Sequence, residues 1–186
     1  MVTVEELNIY PLKSGRGIGK ASVRVAATGF EWDRNWMFTD TAGSFISQRT
    51  HPKLACIEPE FSDDALTLRA PGLPPLALPL EPRGESIEVT VWRDRCEGLD
   101  QGDSASAWAS TALGAPLRLV RVVETPRRMA DSKFAGPGEN PVAFADGFPI
   151  LVCNRASLDS LNTRMPEPIP MERFRPNLVL DRKSVV

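Results

Sequence analysis

Apolar and polar residues alternate over short stretches along most of this chain, and the alternation predicts strands joined by turns. Val4, Leu7 and Ile9 mark a first strand over residues 2–10 that Pro11 ends. Val23 and Val25 predict a second strand over 21–27, broken by Gly29, and Trp36-Met37-Phe38 a third. Asp40-Thr41-Ala42-Gly43 reads as a hairpin turn into 44–48. From Leu54 to Leu99 the pattern is a meander, with Leu66-Thr67-Leu68 and residues 87–92 alternating as half-buried antiparallel strands do. The proline-rich stretch 73–82 suits an edge or a loop.

One segment repeats at helical spacing. Ala105, Trp108, Ala109, Ala112 and Leu113 predict a helix over 103–113, with Asp103 or Ser104 as its cap, Gly114 as its stop and Trp108 as a core anchor. Residues 117–123 follow as a strand. Thr125 to Pro141 is polar and aperiodic, a long loop made cationic by Arg127, Arg128 and Lys133, which suits a lid over an anion or simple solvation. Residues 148–153 predict a buried strand. Asn154 then caps a helix carrying Leu158, Leu161 and Met165 on one face, and Leu178-Val179-Leu180 reads as a last buried strand.

The fold class is therefore mainly β with a few helices (α+β). With 17 prolines and 13 glycines, the composition fits short strands and turns better than a helical bundle. A net charge of −2 argues against a nucleic-acid partner. Residues 118–186 nevertheless carry 11 basic and 8 acidic side chains, against 11 and 16 in residues 1–117. Three widely spaced cysteines (Cys56, Cys96, Cys153) predict a reducing compartment, and no apolar run is long enough to span a membrane. The expectation is a cytoplasmic protein without a membrane partner.

Candidate chemistry centres on Met171-Glu172-Arg173-Phe174-Arg175-Pro176-Asn177. Pro176 favours an extended Arg175, so Arg173 and Arg175 are expected on one side with Phe174 on the other and Asn177 next in register. Two adjacent guanidiniums suit a phosphate or carboxylate; they also suit a plain surface pair entering a strand. Lys13 and Ser14 precede three glycines in five residues (Gly15, Gly17, Gly19), which form either an anion-cradling nest or an ordinary turn. His51 is the only histidine, so no histidine-based metal site or serine-hydrolase triad is available, and no metal ligand is assigned.

The sequence resembles the MOSC-domain proteins, the family of the mitochondrial amidoxime-reducing component and related bacterial molybdenum-cofactor reductases. Blocks in family order carry the resemblance: residues 9–14, 29–36 with Asp33-Arg34-Asn35-Trp36, Ser47-Gln48-Arg49, Phe144-Ala145-Asp146-Gly147-Phe148-Pro149, 156–162 and 173–177. The resemblance implies a MOSC-type β-barrel architecture, with an N-terminal barrel-like domain over 1–122 and an incomplete MOSC domain over 123–186. It implies that Lys13, Ser14, Arg34, Arg173, Arg175 and Asn177 contact the phosphate or pterin part of a molybdopterin-type molybdenum cofactor. Asp146, Gly147 and Phe148 are placed beside it. It further implies a small-molecule substrate, reduction of N-hydroxylated compounds and a redox partner protein supplying electrons. Pyridoxal phosphate is a second cofactor the resemblance brings, compatible with an arginine-lined pocket. The family's molybdenum-binding cysteine follows the Arg-Pro-Asn block, and no cysteine follows Asn177 here. The expectation is thus a truncated oxidoreductase, with a non-catalytic cofactor- or phosphate-binding module or an inactive fragment as the alternatives.

Overall fold

A computed structural model describes residues 2–181. In chain order the elements are β1 (Thr3–Ile9), β2 (Ile18–Gly19), β3 (Val25–Ala26), β4 (Gly29–Phe30), β5 (Trp36–Thr39), β6 (Glu58–Phe61), β7 (Ala65–Arg69) and β8 (Leu76–Pro79). They continue with β9 (Ser86–Val91), β10 (Asp94–Asp100), α1 (Asp103–Leu113), β11 (Arg118–Val122), α2 (Ser132–Ala135), β12 (Val152–Asn154), α3 (Arg155–Asn162) and β13 (Leu178–Asp181). Short 3-10 turns lie at Pro52–Cys56 and Met171–Arg173. The class is mainly β with three helices, as the alternation predicts.

Among the described residues the strands form separate sheets and no closed barrel. The orders are β12-β13-β1-β2, β5-β11-β10-β9, β6-β7-β8 and the pair β3-β4. An isolated bridge, Leu12↔Trp36, joins the segment after β1 to β5. The sheet β5-β11-β10-β9 is covered on both faces, because side chains alternate along a strand. Trp36, Phe38 and Leu119 join one cluster with Leu66, Leu68 and Ala109 of α1, while Met37, Val120, Val89 and Val91 face Phe144 on the other side. β8 is an edge strand, where prolines are tolerated.

Helix α1 spans the predicted residues, buries Ala105, Ala109 and Leu113, and ends at Gly114 with φ 75°. Its cap differs: Gly102 stands at that position and no side chain bonds the first turn. Trp108 is only partly buried, packing at the rim of the core while its Nε1 donates to the Pro74 carbonyl at 2.7 Å. The second strand shrinks to Val25–Ala26. Residues 148–153 are not a buried strand. β12 is short, runs parallel to β13 at the sheet edge, and leaves Phe148, Leu151 and Val152 exposed. Asn154 caps α3 through Ser157 N as expected, but only Leu158 of its apolar face is buried. No described helix is long and apolar enough to cross a membrane. The polar tail at 182–186 lies outside the described residues.

The two ends of the sequence meet at Asn177. Its main chain bonds Asn8 N at 2.8 Å and the Leu151 carbonyl at 2.8 Å. Its side-chain amide donates to Asn8 O at 3.1 Å, and its Oδ1 accepts from Leu151 N at 3.1 Å and Arg34 Nη1 at 2.9 Å. One buried side chain therefore ties β1, β13, the lead-in to β12 and Arg34 together. Asn177→Ala removes three such bonds and leaves buried groups unpaired, a loss of about 3 kcal/mol. Thermal unfolding of this variant is expected to fall by roughly 10 °C.

Candidate functional site

β1 delivers Tyr10 into the interior, and Pro11 then turns the chain alongside the start of β5. Lys13 N bonds Trp36 O at 2.7 Å, Trp36 N bonds Pro11 O at 3.0 Å, and Arg34 N bonds Tyr10 O at 2.8 Å. Asp33, almost fully buried, accepts from Tyr10 N at 2.7 Å and pairs with Arg34. Burial pushes the Asp33 carboxyl up, against the pull of the Arg34 charge. Arg34 also donates to the Arg175 carbonyl at 3.1 Å. The guanidiniums of Arg34 and Arg175 each lie 4.4 Å from the centre of the Tyr10 ring. Two like charges thus share one aromatic, whose negative face offsets part of their repulsion.

Burial is the largest influence on the titration of both Arg175 and Tyr10. Burial, and then the neighbouring Arg34 charge, pulls the Arg175 guanidinium down to about 10, still cationic at neutral pH. Burial pushes the Tyr10 phenol up to about 12, so the ring stays neutral. Among the described residues the Arg175 side chain bonds only the Gly15 carbonyl. Among the described residues Arg49, Arg173 and Arg175 have no carboxylate within ion-pair distance.

Lys13 forms the opposite wall. Its Nζ, buried, donates to Phe144 O at 2.8 Å and Asp146 Oδ1 at 2.5 Å, and lies 4.9 Å from the Phe45 ring centre. Burial lowers the Lys13 pKa despite the adjacent carboxylate. Burial raises that of Asp146, but the Lys13 charge and the hydrogen bonds from Lys13 and Trp92 outweigh it and hold the carboxyl low. Arg128 fixes the segment behind them, donating to the carbonyls of Ala143 (3.1 Å), Ala145 (2.5 Å) and Asp146 (2.6 Å) and to Asp94 (2.8 Å).

Between these walls lies a cleft of about 520 Å³, within the range of small-molecule sites. Lys13, Ser14, Arg34, Asp146, Gly147, Phe148, Arg173, Arg175 and Asn177 all line it, together with Phe45, Gln48, Arg49 and Trp92. Five cations face one carboxylate. Four of the five non-glycine residues with positive φ stand on this lining: Ser14 (65°), Arg34 (52°), Trp92 (58°) and Arg175 (58°). Such backbone is costly, and it gathers at sites where side-chain placement matters more than local comfort.

Several expectations change. Arg173 and Arg175 do not come from an extended strand. Met171–Arg173 form a 3-10 turn, with Arg175 N bonded to Glu172 O at 3.1 Å and Arg175 in the left-handed region, so the turn and not a strand register aims both into the cleft. Asn177 lines the cleft with a side chain already committed to the fold. The glycine run is a turn and not a nest, because Gly15 N and Arg16 N bond the carbonyls of Leu12 and Ile57. None of residues 125–141 lines the cleft, so the cationic loop is no lid here; Arg127 and Arg128 border a separate cavity. Sequence pattern alone does not single out Tyr10, Phe45 or Trp92 as site residues. Periodicity marks Tyr10 and Trp92 only as strand ends, and gives Phe45 no distinction at all. Gln48 and Arg49 stood in a family-like block without an assigned role; Gln48 now bonds Ser14 O at 2.7 Å.

Comparison with known proteins finds that the profile of the MOSC N-terminal beta barrel domain matches residues 1–116 and that of the MOSC domain residues 139–185. The chain is 33% identical to mitochondrial amidoxime reducing component 2 of Bos taurus over 96% of its own length and 56% of that protein. It is 31% identical to mitochondrial amidoxime-reducing component 1 of Mus musculus over 96% of this chain and 55% of that one. Molybdenum cofactor sulfurase of Danio rerio is 30% identical over 98% of this chain and 24% of its own. The chain spans about half the length of the amidoxime-reducing relatives it matches.

Tyr10 is the only tyrosine, so phenolate absorbance reports it alone. The folded protein is expected to ionise near 12, against the ordinary value near 10. A phenol whose folded pKa is raised stabilises the fold fully below the unfolded value. That contribution is lost as pH climbs from about 10 through about 12. A midpoint near 10 in the folded protein would contradict the packing described. Pyrophosphate is expected to raise the unfolding temperature by binding the folded cleft. Arg175→Gln, which removes one of two crowded charges, is expected to keep stability within about 1 kcal/mol of the parent while abolishing most of that rise.

Proposed function

The chain belongs to the MOSC family, and from that premise we propose that its cleft holds a molybdopterin-type molybdenum cofactor by the phosphate-bearing organic part. One observation carries this reading: Arg175, half-buried beside Arg34, has no carboxylate within ion-pair distance among the described residues, in a cleft where five cations face one acid. A phosphate there would relieve the repulsion and accept charge-assisted hydrogen bonds. Arg175, Arg173 and Arg49 are the donors free to reach it, with the Ser14 hydroxyl beside them. Arg34 and Asn177 set the geometry, with three of the five Arg34 donors and most of the Asn177 amide already engaged. Lys13 and Asp146 form the opposite polar wall, and Gly147 and Phe148 the adjoining rim.

The residues fit the organic part of the cofactor better than its metal. A molybdenum centre calls for soft thiolate ligation, and none of Cys56, Cys96 or Cys153 lines the cleft. The metal, when bound, supplies the redox step, and the activity we propose is reduction of a small N-hydroxylated compound with electrons from a partner redox protein. The names of the amidoxime-reducing relatives support it. A second reading is a module that holds or delivers the cofactor without turnover, since the polar lining described here serves binding alone equally well. We also take residues 1–122 and 123–186 as two units, with the cleft at their seam.

Purified from cells that make the cofactor, the protein is expected to retain pterin, seen by fluorescence after oxidation. Arg175→Ala is expected to lower pterin content roughly ten- to a hundredfold, the loss of one or two charge-assisted bonds. Unchanged pterin in that variant, or bound pyridoxal phosphate in place of pterin, would overturn the proposal. Reduction of benzamidoxime by the loaded protein, given a chemical reductant, separates the reductase from the carrier.

A further inference from the structure

Trp92 is out of place by every structural criterion. It sits in the two-residue turn between Val91 and Asp94, at φ 58°, a conformation glycine adopts freely and a bulky side chain pays for. It is 48% exposed, so burial returns little of that cost. Nevertheless its orientation is fixed. The indole Nε1 donates to Asp146 Oδ1 at 2.9 Å, the same oxygen that Lys13 holds, and the Phe45 ring stands against it at 4.7 Å and 65°. The Arg49 guanidinium lies 5.7 Å from its centre, at the long end of cation–π range and with no carboxylate partner among the described residues.

A large flat ring, half open, pinned at its polar edge and braced by a perpendicular aromatic, is a stacking surface. It lines the cleft that the free arginines enter. Resting on the phosphate reading above, we infer that Trp92 is the ring-binding wall of this cleft, and that the ligand carries a flat conjugated ring system on the same molecule as its phosphate. Asp146 is then a positioning residue: its carboxylate, kept ionised by Lys13, holds the indole at the angle the ring needs. Phe45 limits how far the indole tilts. The strained turn is explained as well, because a glycine there would be comfortable and would present nothing.

The test uses two probes that share a diphosphate and differ by the ring: hydroxymethylpterin diphosphate and pyrophosphate, titrated into the full chain by calorimetry. The parent protein is expected to prefer the pterin compound by roughly tenfold, as stacking on one aromatic side chain supplies. Trp92→Ala is expected to erase that preference and leave pyrophosphate affinity unchanged, while Trp92→Phe keeps most of it. Trp92→Gly, which relieves the positive φ, is expected to lose the preference without lowering the unfolding temperature. A preference that survives Trp92→Ala, or an equal loss of affinity for both probes, would overturn the inference. Equal affinity of the parent for both would sink the ring wall and leave the phosphate reading standing. Binding of neither would remove both.

Discussion

Two guanidinium groups held against the ring of one buried tyrosine are the constraint around which this molecule is arranged. Arg34 comes from the lead-in to β5 and Arg175 from the turn before β13, and each lies 4.4 Å from the Tyr10 ring. Their repulsion is offset locally by the buried carboxylate of Asp33, by the ring, and by backbone carbonyls of Arg175 and Gly15. Those partners and Asn177 take three hydrogen bonds from Arg34 and one from Arg175. The imbalance leaves the cleft with an excess of positive charge, which is the physical basis of the proposed anion site.

Everything near the pair serves to hold it in register. Asn177 locks the segment that carries Arg175 onto β1 and onto Arg34. Arg128, from a loop outside the cleft, ties down the carbonyls of Ala143, Ala145 and Asp146, and so fixes Asp146 opposite. The left-handed residues on the lining show that the backbone bends to the needs of the side chains, since Ser14, Arg34, Trp92 and Arg175 would all be easier as glycine or in an extended chain. Such strain persists only where surrounding contacts over-determine it, and here both walls of the cleft do so.

Much of the fold was legible in the sequence because it rests on periodicity. Alternation at Leu66 and Leu68, and at Val89 and Val91, marked strands whose inward residues are buried, and the helical repeat at Ala105, Ala109 and Leu113 marked α1 within its observed bounds. Periodicity failed at sheet edges. Residues 148–153 are apolar enough for a core strand, yet only their neighbours decide that β12 lies at an edge. Family-like blocks pointed to nine residues, and these meet in one cleft although up to 164 positions separate them. What the blocks did not convey is division of labour: whether an arginine faces the cleft or spends its donors on carbonyls depends on pairings far away in the chain. Tyr10 and Trp92 matter through angles and distances to partners, and spacing encodes neither.

The pairing of β1 with β13 carries a kinetic consequence. Thr3 lies opposite Asp181 and Leu7 opposite Leu178, so this ladder joins residues separated by most of the polypeptide. Closing so long a loop is slow, and on the ribosome β13 emerges well after β1 and everything between them. The meander from β6 to β10 and helix α1 have local partners and are able to settle earlier, whereas one edge of β1 waits. The cleft, whose lining draws on both β1's continuation and the segment before β13, therefore forms after the local meander, on a scaffold already in place.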